Sequence, residues 1–242
     1  MHVYSIFKNL LQPSFLCHNK DKIISWSKKM TEWERMQNGL IYNDFDQDLF
    51  NRRVIAKKLF KAYNKTEDDE TEKRENLMKE LFKNVGKNVW IEPDFRCEFG
   101  KNISIEDDVY INFGCIILDC AQITIGSHTL LGPNIGLYAV NHSIDAQERI
   151  NGGCYGKPIH IGKNVWLGGD VKILGGVTIG DNTIIGTGSI VTKNIPSNVI
   201  AVGNPCKVLR EITEKDKTDY LERIKKPFDV TKCNKGLACE RF

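Results

Sequence analysis

Histidine is the side chain whose ordinary titration lies nearest neutral pH, so the five in this 242-residue chain are the first places to look for proton chemistry. His142, in AVNHSID, stands directly before the stretch SIDAQERINGGCYGKPIH at 143–160, where an otherwise regular repeat breaks. An imidazole there could be a general base, a metal ligand or a solvated surface group. On position alone, the last is the commonest case. His128 and His160 also lie in or beside the repeats. The eight cysteines, at 17, 97, 115, 120, 154, 206, 233 and 239, form no CxxC pair and no zinc spacing. They read as reduced thiols, several of them buried.

These residues are carried by a period of six. From Ile161 the chain divides without a gap into IGKNVW, LGGDVK, ILGGVT, IGDNTI, IGTGSI and VTKNIP. An earlier array, IEDDVY, INFGCI, ILDCAQ, IGSHTL, LGPNIG and LYAVNH, keeps the phase after two extra residues at 123–124, and a weaker start lies at Val85. Each block opens on Ile, Leu or Val, and a small or β-branched residue is usual at the fifth position. This is the pattern of a solenoid, in which the opening residue points inward and stacks on its equivalent one coil away. Three blocks make a triangular coil, and coils stack at about 4.8 Å. The glycine that often follows the opening residue is expected to adopt a turn conformation closed to side chains with a Cβ. An insertion such as 143–160 should protrude as a loop on one side, where function tends to lie.

The expected organisation is a basic flexible tail at 1–29, a helical segment at 30–84, a β-helix at 85–210 and a C-terminal helix and tail at 211–242. The first 29 residues hold seven Lys or His against one Asp but lack the Arg of a transit peptide, so a tail is favoured over a targeting arm. Helical spacing of Leu49, Arg53, Ala56, Leu59, Phe60 and Tyr63 predicts a helix over 47–64. A second is predicted over 67–83 and a C-terminal one over 213–225, with Thr213 as its cap.

Composition excludes more than it selects. Hydrophobic residues make up 41%, charged residues 27%, and the net charge is +3, which gives no case for a nucleic-acid partner. No apolar run approaches the roughly 18 residues needed to span a bilayer. No export signal is evident, so the cytoplasm is the expected location.

From Met30 to about Lys225 the chain resembles the galactoside and maltose O-acetyltransferase family. WERMQNGLIYND, IEPDFRCEFGKNI, YINFGCIILD, NHSID, YGKPIHIGKNVWLGG and GVTIGDNTIIGTGSIVTKNIPSNVIAVGNPCKVLREI follow in that family's order. The resemblance implies a mainly β fold, a left-handed parallel β-helix with N-terminal helices and a short C-terminal helix, against the usual right-handed crossover. It implies an O-acetyltransferase that uses acetyl-CoA, with a sugar hydroxyl as acceptor. His142 falls on the family's catalytic histidine, able to accept the hydroxyl proton as that oxygen attacks the thioester. The oxyanion would be met by a backbone N–H near Gly168 or Gly169. No acyl-enzyme is needed, so no cysteine need be a nucleophile.

Asp44, Glu98, Asn112 and Asp119 match acceptor-side positions, although Asn112 could equally be a turn asparagine and each acid a surface group. At the position of Glu98 one branch of the family carries a small hydroxyl residue, and this chain follows the acidic branch. Gly169, Thr187, Thr192 and Lys193 match positions along the pantetheine and adenine of coenzyme A, and Lys207 and Arg210 the cations near its phosphates. Lys193 and Lys207 could equally be solvated surface charge. Trp166 reads as a wall of the acyl channel or an interface residue. No metal is expected. Rival readings are a γ-class carbonic anhydrase, whose close histidine pair is missing here, a non-catalytic hexapeptide scaffold, or an acetyltransferase for serine or a xenobiotic antibiotic. Counting blocks from Ile111 puts Asn112 and His142 at different corners of one prism, which fits a homotrimer with sites between subunits.

Overall fold

The computed structural model describes residues 29–225. The chain divides into Met1–Met30 and Thr31–Phe242, and everything below concerns the second unit. The basic tail read at 1–29, Lys29 apart, and the stretch beyond Lys225 lie outside the described residues.

Three helices open the second unit. The helix α1 (Glu32–Gln37) begins with a capping box, in which the Thr31 hydroxyl accepts from the Glu34 N–H and the Glu34 carboxylate accepts from the Thr31 N–H. After α1 the backbone turns at Gly39 (φ 67°), in the left-handed region that glycine occupies without strain. The helix α2 (Gln47–Tyr63) is capped by the Asp46 carboxylate and buries Leu49, Ala56, Phe60 and Tyr63. The helix α3 (Thr71–Leu81) buries Met78 and Leu81, later in its start than the acidic run at 67 implied. Phe82 and Phe95 meet edge to face at 5.7 Å beneath it, so the helices close the first coil of the solenoid.

The solenoid is a parallel β-helix of about six turns. Its first face stacks Asn84–Val85, Ile103–Ile105, Ile123–Ile125, Ile159–Ile161 and Thr178–Ile179. The second stacks Trp90–Ile91, Tyr110–Ile111, Leu130–Leu131, Trp166–Leu167, Ile184–Ile185 and Val199–Val202. The third stacks Arg96–Cys97, Ile116–Leu118, Gly136–Tyr138, Lys172–Leu174 and Ile190–Val191. The opening residue of each six-residue block is buried, as in Ile161, Leu167, Ile173, Ile179, Ile185 and Val191. The two extra residues at 123–124 are absorbed into a first-face strand, and Ile111 still registers with Leu131.

The repeat's glycines have a different reason from the expected one. Gly86, Gly126, Gly162 and Gly180 do not take left-handed backbone; a Cβ there would meet the backbone of the next coil at 2.4–2.8 Å. The left-handed residues come two positions later, at Asn88, Asp108, His128, Asn164, Asn182 and Asn198, with φ of 54–61°. Asn and Asp tolerate that region because their side chains bond locally. Here they bond between coils, Asn164 to Asn182 at 3.0 Å and Asn182 to Asn198 at 2.9 Å.

Two further elements depart from the sequence reading. The stretch 143–160 is no simple loop: Val140–His142 and Gly153–Gly156 form an antiparallel hairpin with the helix α4 (Ala146–Ile150) at its tip. At the other end Lys207–Glu211 runs back antiparallel to Val199–Val202, so the parallel winding stops before 210. The helix expected at 213–225 is broken: Thr213 caps a 3-10 turn, Glu214–Asp216, and α5 (Tyr220–Lys225) follows separately. The Asp216 carboxylate holds the turn by accepting from the Thr213 N–H at 2.8 Å and from Arg210. No described helix is long and apolar enough to cross a membrane.

Candidate active site

The hairpin is completed by a strand that the sequence reading did not foresee. Tyr42–Asn43, delivered by α1 and its turn, pairs antiparallel with Gly153–Gly156, making a three-stranded sheet beside the solenoid. Tyr42 lies opposite Cys154 on one side, and His142 lies opposite Cys154 on the other. Just beyond, the Asp44 N–H donates to the Gly152 carbonyl at 2.8 Å. The break in the repeat and the N-terminal segment, about 100 positions apart in the chain, thus meet at one place.

His142 is exposed, and its Nδ1 lies 3.0 Å from the Cys154 sulfur. Its Nε2 has no partner among the described residues. That is the arrangement a general base requires: one ring nitrogen held, the other open. Within electrostatic reach of Cys154, Arg53 from α2 bridges two acids. Its Nη2 pairs with the Asp44 carboxylate, its Nη1 donates to the Asp44 carbonyl at 3.0 Å, and its Nε donates to Glu98 at 2.5 Å. Burial works against the Arg53 charge, but the two carboxylates outweigh it and raise its pKa. The guanidinium also lies 5.0 Å from the centre of the Phe99 ring.

Asp119 is not where an acceptor could reach it. It is fully buried, and its carboxylate accepts backbone N–H groups from Glu98 at 3.0 Å, Phe99 at 2.8 Å and Asn102 at 3.3 Å. It supports the turn that presents Glu98, and the acceptor-side role read for it is corrected to that. Burial, against those donors, pushes its pKa up to about 7.

Asn112 stands apart from this cluster. It follows Ile111 at the corner between the second and third faces, half-buried, and its side-chain oxygen accepts from the Phe113 N–H at 2.8 Å. Two coils above, Gly169 and then Thr187 occupy the same corner, because Leu167 registers with Leu131 and Ile185. The Gly168 N–H is spent on the Ile185 carbonyl at 2.8 Å, so of the two oxyanion candidates Gly169 keeps an open donor among the described residues. Thr192 and Lys193 are exposed on the corner between the third and first faces, which the hairpin of His142 also leaves. Lys207 is exposed on the returning strand. Arg210, on the same strand, is not a free cation: both of its Nη atoms pair with Asp216, at 2.7 and 2.8 Å.

The three histidines in or beside the repeats have separate partners: His128 lies 3.4 Å from Asp108, His160 2.9 Å from Thr124, and His142 3.0 Å from Cys154. Among the described residues no group of three or more His, Cys, Asp or Glu is placed to hold a metal ion.

Tyr42, Arg53, Cys120 and Cys154 were not picked out as site residues from sequence. Arg53 had a visible signal, a cation inside an otherwise apolar helical stripe. Tyr42 and the two thiols had none, since only the pairing of distant strands brings them together.

Known proteins match this architecture closely. The model of the maltose acetyltransferase hexapeptide capping motif matches residues 35–86, and that of the bacterial transferase hexapeptide, six repeats, matches residues 158–193. Galactoside O-acetyltransferase of Escherichia coli is 45% identical over 192 residues, which is 79% of this chain and 95% of that one. The crystal structure of a maltose O-acetyltransferase from Clostridium difficile is 48% identical with a TM-score of 0.74, covering 76% of this chain and 99% of that one. A structure of galactoside acetyltransferase in complex with coenzyme A is 45% identical with a TM-score of 0.75, covering 79% and 96%. The parallel β-helix, the helical cap and the identity over most of the chain agree, and the chain belongs to the galactoside and maltose O-acetyltransferase family of hexapeptide-repeat enzymes.

Proposed function

We propose that this chain transfers an acetyl group from acetyl-CoA to a hydroxyl of a maltose-, glucose- or galactoside-like sugar, with His142 as general base. The observation that carries the reading is the open Nε2 of His142, whose Nδ1 partner Cys154 lies within electrostatic reach of Asp44, Arg53 and Glu98. Nε2 takes the hydroxyl proton as the sugar oxygen attacks the thioester carbonyl. A tetrahedral oxyanion forms, and the Gly169 N–H is the donor best suited to meet it. Collapse expels the coenzyme A thiolate, which recovers the proton from the imidazolium. Glu98 and Asp44, held by Arg53, supply acceptors for the sugar's remaining hydroxyls. Five free, buried cysteines among the described residues fit a reducing compartment such as the cytoplasm. Release of coenzyme A thiol from acetyl-CoA, measured with maltose, glucose, galactosides, serine and chloramphenicol, tests the substrate class. Turnover with serine or chloramphenicol and none with any sugar would overturn it.

A homotrimer with sites between subunits belongs to the same proposal. The outward column of the second face is Trp90, Tyr110, Leu130, Trp166, Ile184 and Ile200, and Trp166 and Leu130 are about half exposed. The first face shows Asn84, Ser104, Thr124, His160 and Thr178 instead. An aromatic and aliphatic outer column on one face of three supports burial against a neighbour. Asn112, Gly169 and Thr187 share one corner, whereas His142, Thr192 and Lys193 share another. A threefold neighbour brings such halves together.

A further inference from the structure

We propose that Cys154 is the positioning residue for the base: its sulfur accepts the Nδ1–H of His142 and so fixes the tautomer that leaves the Nε2 lone pair facing the acceptor hydroxyl. This rests on the acetyl-transfer reading above. Neutral imidazole carries one proton, and which nitrogen holds it is set by the partner of the other. Free histidine in water favours the proton on Nε2, the arrangement in which that atom cannot act as a base. A partner that accepts from Nδ1 reverses the preference, and among the described residues the partner of Nδ1 is the Cys154 sulfur at 3.0 Å.

Cys154 is built for that task rather than for nucleophilic attack. It is fully buried and sits on the central strand of the three-stranded sheet, clamped between Tyr42 and His142. Burial, followed by the Asp44 charge, pushes its thiol up to about 11, so it stays neutral at working pH and is no thiolate nucleophile. Burial likewise raises the Cys120 thiol beside it, and the buried Tyr42 hydroxyl faces both thiols. The side chains directly against Cys154, Cys120 and Tyr42, are neutral, with the Asp44, Arg53 and Glu98 charges around them, and the sulfur, a weak acceptor, orients the ring. In the reaction nothing is exchanged at Cys154: the proton on Nδ1 remains there while Nε2 gains and then returns one.

The test compares Cys154→Ser, which keeps an acceptor, with Cys154→Val, which fills the space without one, alongside His142→Ala. Cys154→Val should lower kcat by roughly 10-fold to 100-fold with acceptor KM little changed, and Cys154→Ser should recover most of that loss. Nitrogen-15 NMR of His142 in the full-length protein should show Nδ1 protonated in the wild type and Cys154→Ser, and a shift toward protonated Nε2 in Cys154→Val. The NMR readout needs no turnover and reports on the tautomer even where a variant is less stable. If Nδ1 is unprotonated in the wild type, or if Cys154→Val keeps full kcat while His142→Ala is dead, the positioning role is wrong and the acetyl-transfer reading stands. If His142→Ala itself keeps full activity, that reading fails first.

Discussion

His142 carries the clearest expectation at the scale of single residues. Replacing it by Ala removes the proposed general base, and kcat should fall by at least roughly 10²-fold in a protein that stays folded. Steady-state rates with circular dichroism as a control check this; an unchanged kcat removes His142 from the mechanism. Asp119 makes a different prediction, on stability. Its folded pKa is raised from 3.8 to about 7, so between those values the folded chain holds a proton that the unfolded chain has lost. Stability from this group is therefore present at low pH and declines as pH rises from about 4 to about 7. Asp119→Asn is neutral throughout, so urea midpoints at about pH 5 and pH 7.5 should differ less in the variant than in the wild type. An identical pH slope in both proteins rules out the raised pKa. The sequence exposed both residues as candidates. It could not say that one is at the surface and the other sealed beneath the turn that presents Glu98.

At the scale of elements, the coil is held by close approach as much as by its apolar ladder. A Cβ at Gly180 would lie 2.4 Å from the Ser197 backbone nitrogen, so Gly180→Ala must push two coils apart. Overpacking of that kind costs about 1–3 kcal/mol, read as a lower denaturation midpoint, and no loss would mean the coils yield more easily than the spacing implies. Asn182 serves the neighbouring turn in two ways, tolerating left-handed backbone and bonding to Asn164 and Asn198. Asn182→Ala loses both bonds and keeps the strained φ, so it should also destabilise by about 1–2 kcal/mol in chemical denaturation. The period of six revealed where these positions are. The sequence reading gave the turn conformation to the glycines and no role to the Asn positions, because a repeat shows which residue recurs and not which coil it touches.

For the whole molecule, light scattering should give about three times the 27.6 kDa of one chain. A stable monomer would leave the apolar second face without its explanation. The sharper measurement refolds inactive His142→Ala and Asn112→Ala chains together. Recovered activity in mixed trimers supports a site shared between subunits, and mixed trimers that remain dead place both residues in one chain's site.

The sequence by itself determined the solenoid, its phase, the inward ladder from Ile161 to Val191 and the position of His142 at the break, because a strict period of six leaves one way to bury its apolar residues. It also marked Arg53, without saying what a cation was doing in an apolar stripe. Only the tertiary structure decided that 143–160 is a hairpin, that Tyr42–Asn43 adds a third strand to it, and that Cys154 faces His142 from the middle strand. It also decided that Arg53 ties Asp44 to Glu98, and that Arg210 is tied to Asp216. Periodicity reports burial along the chain, but an antiparallel pairing between segments about 100 positions apart depends on where each arrives in space. The chemistry of this site sits on such pairings.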